Sequence, residues 1–174
     1  FAASMTSEAN RNYLVNSVRI WSGDDSKVIV DNNEENERAN SDEEKAIADI
    51  EEKLGVEVPV FVYRPYEMEF SNYAIKTLTT LARIEYKYQN KCIVLVIDKQ
   101  NKDKASRIRS ARGDERDIVV LSNGGIQIKI KQIYDSEDGM DSYSAEWNKD
   151  GVAYTLFGKI ELAEMKKIIE YMKI

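Results

Sequence analysis

The sequence predicts an α+β domain: an antiparallel, curved sheet of about five to seven strands, with one helix near residues 42–54 and a second near 161–173 packed on it. Three observations predict it. The hydrophobic period is helical over Ser41–Gly55 and changes to two from Met68 onward. Short turn signals, Gln89-Asn90, Ser122-Asn123-Gly124-Gly125 and Asp150-Gly151, join the later runs and leave no room there for the long crossovers that parallel strands need. The last stretch, Ser144 to Ile174, reads as strand, two-residue turn, strand and amphipathic helix.

Residues 1–40 read as an N-terminal hairpin or helix followed by an acidic loop, and 41–174 as the main body of one domain. Gly23-Asp24-Asp25 between β-branched runs suggests a hairpin, while Glu8, Ala9 and Arg11 favour a helix over Ser7–Val18. Asp31–Glu44 has almost nothing apolar to bury and reads as a solvated loop. Ser41 is placed to cap the first helix, with Glu44 completing a capping box. Ala46, Ile47, Ile50 and Leu54 form its apolar face, and Gly55 sits where a left-handed residue ends a helix. Val56–Tyr63 is extended, and Pro59 and Pro65 restrict it to an edge or an irregular strand.

Further on, Ala82, Ile84, Tyr86 and Tyr88 alternate with Arg83, Glu85 and Lys87, which predicts one buried and one wet face. Cys92–Ile97 is apolar throughout, as in a central strand covered on both faces. Asp98–Arg116 is a polar interruption with a possible short helical turn, and Ile118–Ile130 is a hairpin. Tyr143, Ala145 and Trp147 point inward opposite Val152, Tyr154 and Leu156, and Met165, Ile168, Ile169 and Met172 line the closing helix.

The 174 residues are long enough to bury a substantial core, and 43% hydrophobic with 32% charged is ordinary for a globular chain. The formal charge of -6 argues against nucleic acid or anionic lipid as the main partner. With no histidine, the chain lacks the commonest general base and metal ligand, and Ser-His-Asp or Cys-His machinery is excluded. Cys92, the single cysteine, reads as a small buried hydrophobe.

The remaining candidates for chemistry are few. Ser122-Asn123-Gly124-Gly125 lacks the lysine and following helix of a phosphate loop. Asp135–Asp141 clusters carboxylates near Gly139, but Met140 stands where an EF-hand requires glycine, so an acidic loop is expected rather than a calcium site. A spatial carboxylate pair for hydrolysis is the enzymatic alternative. Arg112-Gly113-Asp114 reads as a turn. The tyrosines, Tyr63, Tyr66, Tyr73, Tyr86, Tyr88, Tyr134, Tyr143 and Tyr154, suit half-buried strands, or alternatively a concave wall for an apolar ligand. No catalytic, cofactor-binding or metal residue is assigned, and the chain is expected not to be an enzyme.

Trp147-Asn148-Lys149-Asp150-Gly151-Val152-Ala153-Tyr154-Thr155-Leu156-Phe157-Gly158, then Leu162-Ala163-Glu164-Met165, resembles the C-terminal signature of the "domain of unknown function 4367" family. Leu54-Gly55-Val56 with Pro59, Tyr63-Arg64-Pro65, Met68 and Phe70 are similar to its entry segment, and Ile84–Tyr88 to its central strand. The similarity covers roughly Asp42 to Ile174. Gly158-Lys159-Ile160-Glu161 departs from the family pattern by lacking a capping hydroxyl, which leaves the helix start open by a residue or two. The resemblance implies an extracytoplasmic domain of a single-pass membrane protein of Gram-positive anaerobes, distantly like anti-sigma regulators and lipoprotein carriers. Ser7–Arg11 is similar to the family's juncture after a membrane helix, and Phe1-Ala2-Ala3-Ser4 reads as membrane flank or cloning remnant. The expected role is a sensor or interaction domain, with a carrier or receptor for an apolar ligand as the alternative and a protein or small apolar molecule as partner.

Overall fold

The computed structural model describes residues 27–28, 36–99, 117–133 and 139–174. Helix α1 spans Asn36–Leu54 and α2 spans Leu162–Glu170. The strands are β1 (Lys27–Val28), β2 (Val60–Phe61), β3 (Met68–Lys76), β4 (Leu81–Tyr88), β5 (Lys91–Asp98), β6 (Asp117–Leu121), β7 (Gln127–Ile133), β8 (Ser142–Lys149), β9 (Val152–Lys159) and β10 (Met172–Lys173). They form an antiparallel sheet in the order β1-β3-β4-β5-β9-β8-β7-β6 and a separate ribbon of β2 with β10. The architecture is α+β, as the sequence predicts.

Two meanders meet edge to edge. β3-β4-β5 and β6-β7-β8-β9 are each built from neighbours in sequence, and β5 pairs with β9, Leu95 opposite Leu156, to fuse them. This places the two most apolar strands at the centre, where both faces are covered. The turns obey the local chemistry. Gln89 and Asp150 are left-handed beside Asn90 and Gly151, and Gly151 shares that conformation at φ 81°, so the β8–β9 turn has positive φ at both central residues. Gly158 has a different role. A Cβ there would lie 2.9 Å from the Cys92 carbonyl oxygen, so β9 pairs with β5 at Ile93 where only glycine fits.

Helix α1 presents Ala46, Ile50 and Leu54 to the core at 0–3% exposure, and Gly55, at φ 59°, ends it by donating to the Glu51 carbonyl at 2.8 Å. The helix is described from Asn36, so Ser41 lies within it and is not its cap. The acidic stretch is therefore helical from Asn36. Glu37, Arg38, Ala39, Glu43 and Glu44 are good helix formers, and their favourable propensity extends the helix past the first capping signal.

Helix α2 starts after Glu161, which makes no side-chain cap bond, in keeping with the missing hydroxyl. Met165, Ile168 and Ile169 are fully buried, and burying each such side chain contributes about 1.5–3 kcal/mol. The helix stops at Glu170 rather than continuing to residue 173. Met172 does reach the core, but from β10, opposite Phe61, because pairing with β2 competes successfully for the last residues.

The main core lies between the sheet and the helices. A smaller cluster, Ala74, Leu81, Cys92, Val94, Val96 and Phe157, occupies the opposite face. This corrects the expectation of a wet face on β4: Arg83 is 6% exposed and Glu85 1%. They lie in register with Val96 and Val94, and so share the closed second face of β5. Of the suggested N-terminal hairpin or helix only Lys27–Val28 is described, a strand that pairs antiparallel with β3, Lys27 opposite Ile75; the rest of it, and residues 100–116 with the suggested turn, lie outside the described residues.

Candidate functional site

Most of the tyrosines serve the core rather than an open aromatic wall. Tyr73, Tyr86, Tyr88, Tyr143 and Tyr154 are 0–8% exposed and pack in the main cluster. Four of their hydroxyls find acceptors outside the sheet. Tyr73 donates to Asp49 at 3.2 Å, Tyr86 to Glu43 and Tyr88 to Glu161 each at 2.8 Å, and Tyr154 to the Glu57 carbonyl at 2.8 Å. Burial, then the nearby carboxylate, pushes Tyr73 up to about 12, and burial raises Tyr86 well above the ordinary phenol range. These phenols remain protonated donors. Tyr134 lies outside the described residues, and Tyr66 is 89% exposed.

Arg64 completes the central tie. Its Nη2 lies 2.5 Å from Glu43 Oε1 and its guanidinium stands 5.3 Å over the Tyr86 ring. A carboxylate buried to 5% exposure thus receives two donors, the condition for burying it at tolerable cost. Charges on the second sheet face are also paired: Arg83 with Glu85 at 2.8 Å, and Lys131 with Glu146 at 3.3 Å. Burial raises Glu85, with Arg83 pulling it back, and burial pushes the Cys92 thiol up to about 12, which makes it a poor nucleophile.

Other sequence candidates have structural roles or lie outside the described residues. Ser122 Oγ accepts from the Ile126 amide at 3.1 Å, and the Asn123 amide donates to the Glu170 carbonyl at 2.9 Å, so this loop closes a hairpin and docks it on α2. Of the acidic stretch 135–141, residues 135–138 are outside the described residues, and Asp141 accepts a hydrogen bond from Gln132. Among the described residues, no three His, Cys, Asp or Glu side chains come together as a metal site. Arg112-Gly113-Asp114 is outside them too.

Exposed large apolar side chains include Leu78, the pair Val119 and Leu121 on β6, and a group around the β2–β10 ribbon. In the β2–β10 ribbon, Phe61 and Met172 point inward at 3% and 1% exposure, so their neighbours point out. Val60 is 42% exposed, Val62 58% and Tyr171 55%. Tyr63 extends the patch, its ring centroid 6.2 Å from that of Tyr171, with the Lys167 ammonium 5.4 Å from the Tyr63 ring. The Tyr63 hydroxyl donates to Glu164 on α2, which raises Tyr63 and lowers Glu164. The ribbon is held by Arg64 on one side and Glu164 on the other, so its outer face is presented in a set geometry. Sequence reasoning missed this patch. The signal was the unbroken apolar run Val58-Pro59-Val60-Phe61-Val62-Tyr63, with more apolar side chains than one buried face of an irregular strand uses.

The family model described as Domain of unknown function (DUF4367) matches residues 58–172, from the start of the ribbon segment to β10. No curated protein and no solved structure matches the chain.

Proposed function

We propose that this chain, which belongs to the family described as Domain of unknown function (DUF4367), is a non-enzymatic interaction domain on the extracytoplasmic face of a cell membrane. It would be held there by a segment outside residues 1–174 and act on an anti-sigma/sigma system through that anchor. The observation that carries the interaction reading is the outward Val60, Val62 and Tyr171 patch on an anchored ribbon. Exposed apolar groups gathered beside one short ribbon favour a protein partner. The phenol–carboxylate and guanidinium–carboxylate pairs support a structural use for their ionisable groups. The anchoring and regulatory part rests on the family resemblance.

Two measurements test it. Alkaline phosphatase fused after Ile174 in the full-length protein should be active, and an inactive fusion that is stably made would overturn the location. A photoreactive residue replacing Val62 should give a light-dependent protein adduct in intact cells. Absence of adducts from positions 60, 62 and 171 would overturn the interaction surface.

A further inference from the structure

A cleft of about 350 Å³ opens between the carboxyl end of α1 and the β8–β9 turn, which is the small end of the range for ligand pockets, about 300–1,000 Å³. Its apolar lining is Val56, Val152 and Tyr154, each at most 8% exposed. Gly55 and Gly151, both left-handed, add backbone without side chains, which keeps the space open.

Charges of both signs surround this lining. Lys99 Nζ donates to the Leu54 carbonyl at 2.6 Å, and this bond takes one of the three donors of an ammonium. Lys149 is paired with Glu57, whose side chain is 59% exposed, so the pair is weak and open to exchange. Asp150 lies beside them in the turn and is exposed. A purely anionic guest would meet Glu57 and Asp150, and a purely cationic one would meet the two lysines. A guest with both charges and an apolar side chain matches the lining.

We propose that this cleft binds a small zwitterionic peptide, of dipeptide size, with its carboxylate at Lys99 and Lys149, its ammonium at Asp150 and an apolar side chain on Val152 and Tyr154. The site is separate from the Val60–Val62–Tyr171 patch, though Val56 and Glu57 belong to the same extended segment. A ligand here would touch the segment that leads into β2 and the patch.

The test is calorimetric titration of the folded chain with glycyl-leucine, N-acetyl-glycyl-leucine and glycyl-leucine amide. Glycyl-leucine should bind saturably at one site, and each blocked form should bind about tenfold or more weakly, since each loses a charge-assisted contact. Asp150→Asn keeps a residue that tolerates left-handed backbone, and should weaken glycyl-leucine while leaving the acetylated form unchanged. Lys149→Met should weaken glycyl-leucine and leave the amide unchanged. Thermal melting checks that both variants fold. No saturable binding by the folded wild type up to about 10 mM, a Kd beyond any useful affinity, overturns the proposal, as does equal binding of all three peptides. Neither outcome bears on the crosslinking result at Val62, which reads the patch alone.

Discussion

The Tyr86 hydroxyl donates to Glu43 Oε1 at 2.8 Å, joining the centre of β4 to the first half of α1 across 43 residues of sequence. The same oxygen takes the Arg64 guanidinium, so strand, helix and ribbon segment converge on one carboxylate. Glu43→Ala should destabilise the chain by about 3–5 kcal/mol, because it leaves Arg64 and the phenol without their shared acceptor. Tyr86→Phe, which removes one donor and keeps the ring, should lose about 1.5–3 kcal/mol. Urea unfolding checks both, and equal losses would show that the carboxylate does not serve two donors.

Trp147 stacks on Tyr154 with ring centroids 5.4 Å apart and planes 7° apart, at 3% and 1% exposure. Trp147→Ala should cost about 3–5 kcal/mol. A variant that unfolds at the wild-type urea midpoint would show that the closing hairpin is not anchored there.

Gly158→Ala should destabilise by about 1–3 kcal/mol, because the new Cβ meets the Cys92 backbone at 2.9 Å and neither central strand has room to move. Amide exchange should quicken in β5 and β9 before the rest of the sheet. Uniform protection would contradict this.

Acid and alkali should act at different ties. The hydrogen bond from Tyr63 holds Glu164 below the usual carboxylate range. The stability it contributes is therefore present above the unfolded pKa of about 4.3 and is lost as pH falls through the lower folded value. Its size is modest, since the site is well solvated. Melting temperatures from pH 7 down to pH 3, about the range that spans this titration, should fall less steeply in Tyr63→Phe than in the wild type.

Tyr73 has the opposite sign. Its folded value is raised to about 12, so the stability it contributes is complete below the unfolded value of about 10 and disappears as pH rises through 12. Tyrosinate absorbance during an alkaline titration should show a late component that Tyr73→Phe removes.

Helix, meander and hairpin identities were readable because they depend on local rules. Asp150-Gly151 demands its turn wherever it lies, and Ala46, Ile50 and Leu54 mark one helical face whatever packs on it. The candidate surface was not readable. Val60 and Val62 look like core residues in the sequence, and become a patch only because β10 pairs with β2 and commits Phe61 to the inside. The cleft is equally non-local, since Gly55, Lys99 and Asp150 meet only when β9 lies between β5 and β8.

β4 shows where the division falls. The alternation of Ala82, Ile84, Tyr86 and Tyr88 with Arg83, Glu85 and Lys87 was enough to establish a strand with Tyr86 on the core side. Whether the other side met water was decided by its neighbours: β5 is apolar on both faces, and a strand paired to it shares whatever covers that second face. Periodicity records the direction of each side chain from its own backbone, whereas burial is set by what packs against it, and for Arg83 and Glu85 that made a buried ion pair out of residues that read as solvated.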